Sequence, residues 1–146
     1  MSYDNSPAEV LRAALVSGSI GATPSPSLSV TWPAYVGHLA DKPDNAMCIY
    51  DTAGNQDGRL QASGARVYHP GWQIRVRGVS YGVAYAKVKA IGLYLDGVHN
   101  KSVVIGTDTY IVACVKQTSG IFSMGRETDG ARRDEFVLNG TMTITT

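Results

Sequence analysis

The 146-residue chain predicts an α+β fold, a small mixed but largely antiparallel sheet packed against two helices. Three observations carry that class. Two segments repeat apolar residues at helical spacing behind recognisable N-caps. Four further segments are strand-like, two of them alternating with the period of two that a half-buried strand requires. No strand–helix–strand repeat with a glycine-rich turn occurs, which disfavours a doubly wound parallel sheet. The length fits one domain, residues 1–146, able to bury about two-thirds of its extended surface.

The first helix is announced by "DNSPAEVLRAALV". Ser6 suits the N-cap, Pro7 the first helical position, where a missing N–H costs nothing, and Glu9 completes a capping box. Val10, Leu11, Ala14 and Leu15 form one apolar stripe, and the helix is expected to end near Ser17 and Gly18. Residues 18–44 hold four prolines and many small polar residues, and read as an extended Pro/Ser-rich loop with a short strand around Leu28 to Val30. So long a loop calls for a flap or an assembly contact. Trp32 and Tyr35 are its contact candidates; the alternative is an aromatic pair folded back onto the core.

"AMCIYDT" is a short apolar strand, followed by a turn-forming connection, "AGNQDGRLQASG". "GWQIRVRGVSYG" then places Trp72, Ile74 and Val76 on one face and Gln73, Arg75 and Arg77 on the other. The second helix has a Ser80 cap, a stripe of Tyr81, Ala84, Val88, Ile91 and Leu95, a Gly92 that permits close approach, and a left-handed stop at Gly97. "DTYIVACVKQT" suits an internal strand with both faces partly covered. "DEFVLNGTMTITT" turns Phe136, Leu138, Met142 and Ile144 inward, with Gly140 as a bulge or close-contact site on that face. Between Tyr110 and Thr145 the chain is expected to form one large hairpin.

Composition removes several functions. A formal charge of +1 gives neither a general basic field for nucleic acid nor a polyacid surface for metals. Only 17% of residues are charged, low for the surface of a small monomer, so some surface is expected to lie against partners. Cys48 and Cys114 sit in strand-like runs and are expected to be reduced, buried thiols. The start lacks a basic segment followed by an apolar one, and no apolar run has the length of a membrane span. A protein of the host cytoplasm or of a particle is the simplest expectation.

Chemistry leaves little trace. His38, His69 and His99 lie about thirty residues apart in loop sequence, without the Cys/His spacing of a zinc site. No GxSxG elbow is present. Asp41, Asp44, Asp51, Asp57 and Asp108 supply loop carboxylates for a small hydrolase, although loop aspartates more often initiate turns. No enzyme and no cofactor is expected. Arg59, Arg66, Arg75, Arg77, Arg126, Arg132 and Arg133 are the basis of a nucleic-acid reading; pairing of Arg75 and Arg77 with acidic neighbours on an adjoining strand or subunit is preferred. In the late turn, "GRETDGARRDEF", acidic and basic residues interleave, as a self-complementary protein contact requires and a simple DNA clamp does not.

"WQIRVRGVSYGVAYAKVKAIGLYL" followed by "IFSMGRETDGARRDEFVLNGTMTI" resembles the tail terminator family of tailed bacteriophages, also described as minor capsid or tail completion proteins. The resemblance covers roughly residues 45–146. It implies a structural virion protein at the head–tail junction, a homo-oligomer, usually a hexameric ring, that caps the head-proximal end of the tail tube and joins it to a neck or head completion protein. DNA would pass through the lumen without sequence-specific binding. Another head completion or neck protein is the alternative. Carried onto this chain, the candidate interface residues are Arg75, Arg77, Arg126, Glu127, Asp129, Arg132, Arg133 and Asp134. Ile121, Phe122 and Met124, a short apolar run before the turn, are candidates for insertion into a neighbour or, equally, anchors for their own loop.

Overall fold

The computed structural model describes residues 5–25, 30–59, 64, 66–127 and 132–145. Helix α1 (Pro7–Ser17) starts as its sequence demands: the Glu9 amide donates to Ser6 Oγ at 3.2 Å, and the Ser6 amide to the Glu9 carboxylate at 2.8 Å. Its stripe of Ala8, Val10, Leu11, Ala14 and Leu15 is buried. The chain turns off at Gly18, where the Tyr94 ring lies 2.3 Å from where a Cβ would stand, and the Tyr94 hydroxyl donates to the Ala14 carbonyl at 2.9 Å. Glycine there lets the tyrosine add a second bond to a carbonyl that already accepts from the Gly18 amide at 3.1 Å.

Strand β1 (Ala34–Val36) runs parallel to β2 (Ala46–Arg59), which pairs antiparallel with β3 (Arg66–Gly78). Helix α2 (Tyr81–Asp96) crosses to β4 (His99–Ile105), β5 (Asp108–Gln117), β6 (Phe122–Arg126) and β7 (Asp134–Thr145). The sheet order is β1-β2-β3-β7-β5-β4, with β6 also on β7. The expected hairpin is present: β5 pairs with the Gly140–Thr145 end of β7 and β6 with its Asp134–Val137 end, so β5 and β6 lie end to end along one edge of β7. Both helices contribute to one apolar cluster with the sheet, including Leu11, Leu15, Val88 and Ile91 against Ile49, Trp72, Ile74, Leu138 and Met142.

Gly140 holds the centre of that cluster together. A Cβ there would lie 2.2 Å from the Lys116 carbonyl oxygen and 2.4 Å from the ring of Trp72, itself 1% exposed. It is therefore a close-contact site on the inward face.

Several expectations need correction. Strand β2 runs on to Arg59, through residues expected to form a turn; irregular register between Thr52 and Asn55 and again between Gln56 and Arg59 absorbs the turn-like sequence. The short strand of the early loop is Ala34–Val36; Leu28 and Ser29 lie outside the described residues. Strands β4 and β6 have no alternating signal, because β4 buries only Val103 and β6 buries nothing. Gly97 ends α2 at φ −88°, not in the left-handed region, and Tyr81 is exposed at the start of the stripe.

Cys48 is a buried free thiol, but Cys114 is exposed. A register irregularity between Val112 and Cys114 accounts for the difference: Tyr110 and Val112 face inward, the extra residue resets the alternation, and Val115 takes the inward place Cys114 would have had. Ile111 is exposed as well, so β5 is internal to the sheet yet covered on one face only.

Candidate assembly interface

The charged turn closes the β6–β7 end of the hairpin, and Arg133 is its centre. Its Nε and Nη2 donate to the two Glu127 carboxylate oxygens at 2.8 and 3.1 Å, a bidentate pair. Nη2 also donates to Asp41 Oδ1 at 3.0 Å, and Nη1 to Asp44 Oδ1 at 3.3 Å and to the Asp41 carbonyl. The side chain is only 7% exposed. Its hydrogen bonds hold the Glu127 carboxyl below its ordinary pKa, and the shift of Arg133 itself is upward for the same reason. Asp44 is lowered too, first by its bond from Lys42 and then by the charge of Arg133.

Arg77 completes the arrangement from β3. It donates from Nη2 to the carbonyls of Ala40, Asp41 and Pro43 at 2.7, 3.1 and 2.6 Å, and from Nε to that of Asp44 at 3.1 Å. Burial pulls its pKa down, and the neighbouring Arg133 charge adds to the shift. The two arginines thus fasten residues 40–44 of the early loop to Arg133 at the end of the late turn, almost ninety residues away in sequence and linked to it by no local pattern.

This arrangement revises the sequence expectation. Arg77, Arg133 and Asp134 are 3%, 6% and 7% exposed, so the turn is anchored to its own subunit. Reversing charge at Arg133 would break that anchor as well as any outer contact, whereas Arg132 is exposed, at φ +52°, with no ion pair among the described residues. Arg126, also exposed, pairs with Asp134 at 3.3 Å. Asp129 lies outside the described residues. Arg75 shares the β3 face with Arg77 but is spread over the Tyr50 ring, 5.6 Å from its centroid, and its Nε is buried without a hydrogen-bond partner among the described residues.

The apolar run divides. Ile121 packs against the core and anchors its own loop, while Phe122 and Met124 on β6 are 60% and 47% exposed. A second exposed apolar group lies at the start of α2, where Tyr81 and Tyr85 stack in parallel and both meet buried Phe136 edge-on. In the early loop, Trp32 is half-buried, packs against the core, and holds Lys87 over its ring at 5.2 Å. Tyr35 donates weakly to the Lys42 carbonyl at 3.4 Å. For Trp32, folding back on the core is thus the observed role.

Among the described residues, those considered for catalysis form no common site. Asp51 accepts from the Ala8 amide at the start of α1, Asp108 from Asn5, and Asp41 and Asp44 serve Arg133. His69 bonds Thr143 across the sheet and His99 the Gly97 carbonyl. The side chains of Asp57 and Arg59 lie outside what is described. Among the described residues no group of three or more His, Cys, Asp or Glu could hold a metal ion, and no helix is long and apolar enough to cross a membrane.

Comparison with known proteins places the chain in a family and a fold. A family model described as "Bacteriophage tail terminator protein" matches residues 15–146. No curated protein matches the chain. Among solved structures, a chain from the "Virion of native gene transfer agent (GTA) particle" superposes with a TM-score of 0.54 at 15% identity, covering 99% of this chain and 100% of that one. A second solved chain aligns over 93% of this chain and 94% of its own at 15% identity, with a TM-score of 0.45.

Proposed function

The chain belongs to the bacteriophage tail terminator family, and from that premise we propose that it closes into a hexameric ring, with DNA passing through its lumen. The protein is a structural, non-enzymatic component of the virion that caps the tail tube at the head–tail junction. The proposed mechanism is geometric: a ring that matches the symmetry of the last tube layer covers the surface on which the next layer would add. Its other face then receives the neck or head completion protein.

One observation supports the proposed contact regions above the others. Arg77 and Arg133 tie residues 40–44 to the Glu127 and Arg133 ends of the late turn, beside the exposed Arg126 and Arg132. A pre-ordered surface loses little conformational entropy on docking, which a loop meeting a rigid tube end requires. Arg75 is half-buried beside the Tyr50 ring, and the accessible part of its guanidinium suits a carboxylate or carbonyl of an adjoining subunit.

Native mass spectrometry with negative-stain imaging, with and without purified tail tubes, tests this reading. Six-subunit rings, free or seated on tube ends, are expected. Charge reversal by Arg132→Glu should leave the melting temperature within about 2 °C of wild type, since an exposed substitution changes stability by about 0.5 kcal/mol or less, while weakening attachment of rings to tube or neck. A protein that stays monomeric and ignores tube ends would overturn it.

A further inference from the structure

A ring built from one kind of subunit needs two different, complementary surfaces on each copy. On the ring reading above, we propose that these are a projection formed by Phe122 and Met124 on β6 and a cleft at the opposite end of the sheet, so that the Phe122 side chain of one copy seats in the cleft of the next.

The cleft has a volume of about 460 Å³ and lies between the start of α1 and the far ends of β2, β3, β5 and β7. Val10, Tyr68, Pro70, Tyr110 and Ile144 give it an apolar lining, and Asn55 and Arg66 are among its polar lining residues. It is ample for an aromatic side chain with an aliphatic neighbour, and its mixed lining resembles that of sites which take an apolar anchor and orient it with a few polar groups.

Phe122 and Met124 have the matching character. They are the large apolar side chains exposed on β6, a strand whose five residues are all exposed and which, among the described residues, pairs only with β7. Neither is needed to fill the core, since Ile121 already anchors this segment.

Strand register keeps projection and cleft apart within one subunit. Phe122 lies opposite Val137 near the start of β7, whereas Ile144 of the cleft lies near its end. At about 3.3 Å per residue, the intervening stretch of strand spans roughly 23 Å. A copy therefore cannot fill its own cleft through this projection, and the contact is head-to-tail.

Apolar character, not charge, sets the direction of insertion. Glu135, on the same side of β7 as the partner of Phe122, stands opposite Arg77 and already meets its charge, and Arg75 lies opposite the same Val137 that faces Phe122. Arg66 at the cleft has no carboxylate partner among the described residues and is open to a backbone carbonyl of the inserted strand.

Two surface variants test the assignment, Phe122→Asp to spoil the projection and Asn55→Trp to obstruct the cleft. Both residues are exposed, so neither change opens the core, and melting curves check that each variant folds. Each variant alone is expected to lose rings, both free and on tube ends. Mixed in equal amounts they should form one-to-one heterodimers by native mass spectrometry, because only one intact projection and one intact cleft remain between them. Rings that persist in both folded variants would overturn the contact while leaving the ring reading intact. Where the wild type forms free rings, loss of rings without heterodimers on mixing would overturn the contact too. A wild type that never forms rings, even on tubes, would overturn the ring reading itself.

Discussion

Replacing Arg133 by methionine is expected to destabilise the protein by about 3 kcal/mol, the range found when one member of a largely buried, multiply bonded ion pair is removed, reduced for the exposure of its partners. The side chain is 7% exposed, while Asp41 is 85%, Asp44 33% and Glu127 27% exposed. Methionine preserves much of the stem and removes five hydrogen bonds to Glu127, Asp41 and Asp44, leaving three carboxylates gathered without their shared cation. Urea unfolding should show the loss as a lower midpoint. Arg132→Met in the same turn should change it by less than about 0.5 kcal/mol, because that side chain is exposed.

Acid provides a second reading of the same network. Glu127 and Asp44 have folded-state pKa values below their ordinary 4.5 and 3.8, so their contribution is fully present above those values. It is lost as pH falls through the lower folded-state values. The stability difference between wild type and Arg133→Met should therefore shrink as pH is lowered below about 4.5. A difference that stays constant to pH 3 would mean that these ion pairs contribute nothing.

The second large effect is expected at Gly140. Alanine would place a methyl 2.2 Å from the Lys116 carbonyl and 2.4 Å from the Trp72 ring. The first obstacle is backbone of the paired strand β5, and the second is a large ring buried to 1% exposure, so neither can yield cheaply. Overpacking of this kind costs about 3 kcal/mol and should lower the melting temperature by on the order of 10 °C. Gly82→Ala is the contrasting case. It is exposed within α2 with nothing within 4 Å of a new Cβ, and should gain about 0.5–1 kcal/mol from helix propensity. Equal effects at both positions would show that Gly140 is not the close-contact site described.

These residues also show where the sequence was informative. The capping box at Ser6 and Glu9, the stripe of Ala84, Val88, Ile91 and Leu95, and the alternation of β3 and β7 are local patterns, and each folds as local physics requires. The inward position of Gly140 follows from the same alternation. What stayed hidden was non-local or faceless. Strands β4 and β6 bury too little to show a period, and β2 continues through turn-like residues because β3 pairs with it. The register reset that exposes Cys114 has no sequence mark. The mixed charges of the late turn suggested contact with another protein, and the partners the fold itself supplies to Arg133 across the chain are Asp41 and Asp44. Arg77 looked like an outward residue by strand parity and is instead covered by the loop carbonyls of residues 40–44. Only the folded chain brings those carbonyls to it.

The central claim is that the protein ends tail-tube growth by capping it, and a tube-elongation assay tests this most directly. Purified tail tube subunits polymerising from their natural initiator are imaged by electron microscopy with and without the protein. The account predicts tubes that stop lengthening once the protein is added, each bearing a ring at the end distal to the initiator. Tubes that continue to lengthen at the unsupplemented rate, with the protein free in solution, would contradict it.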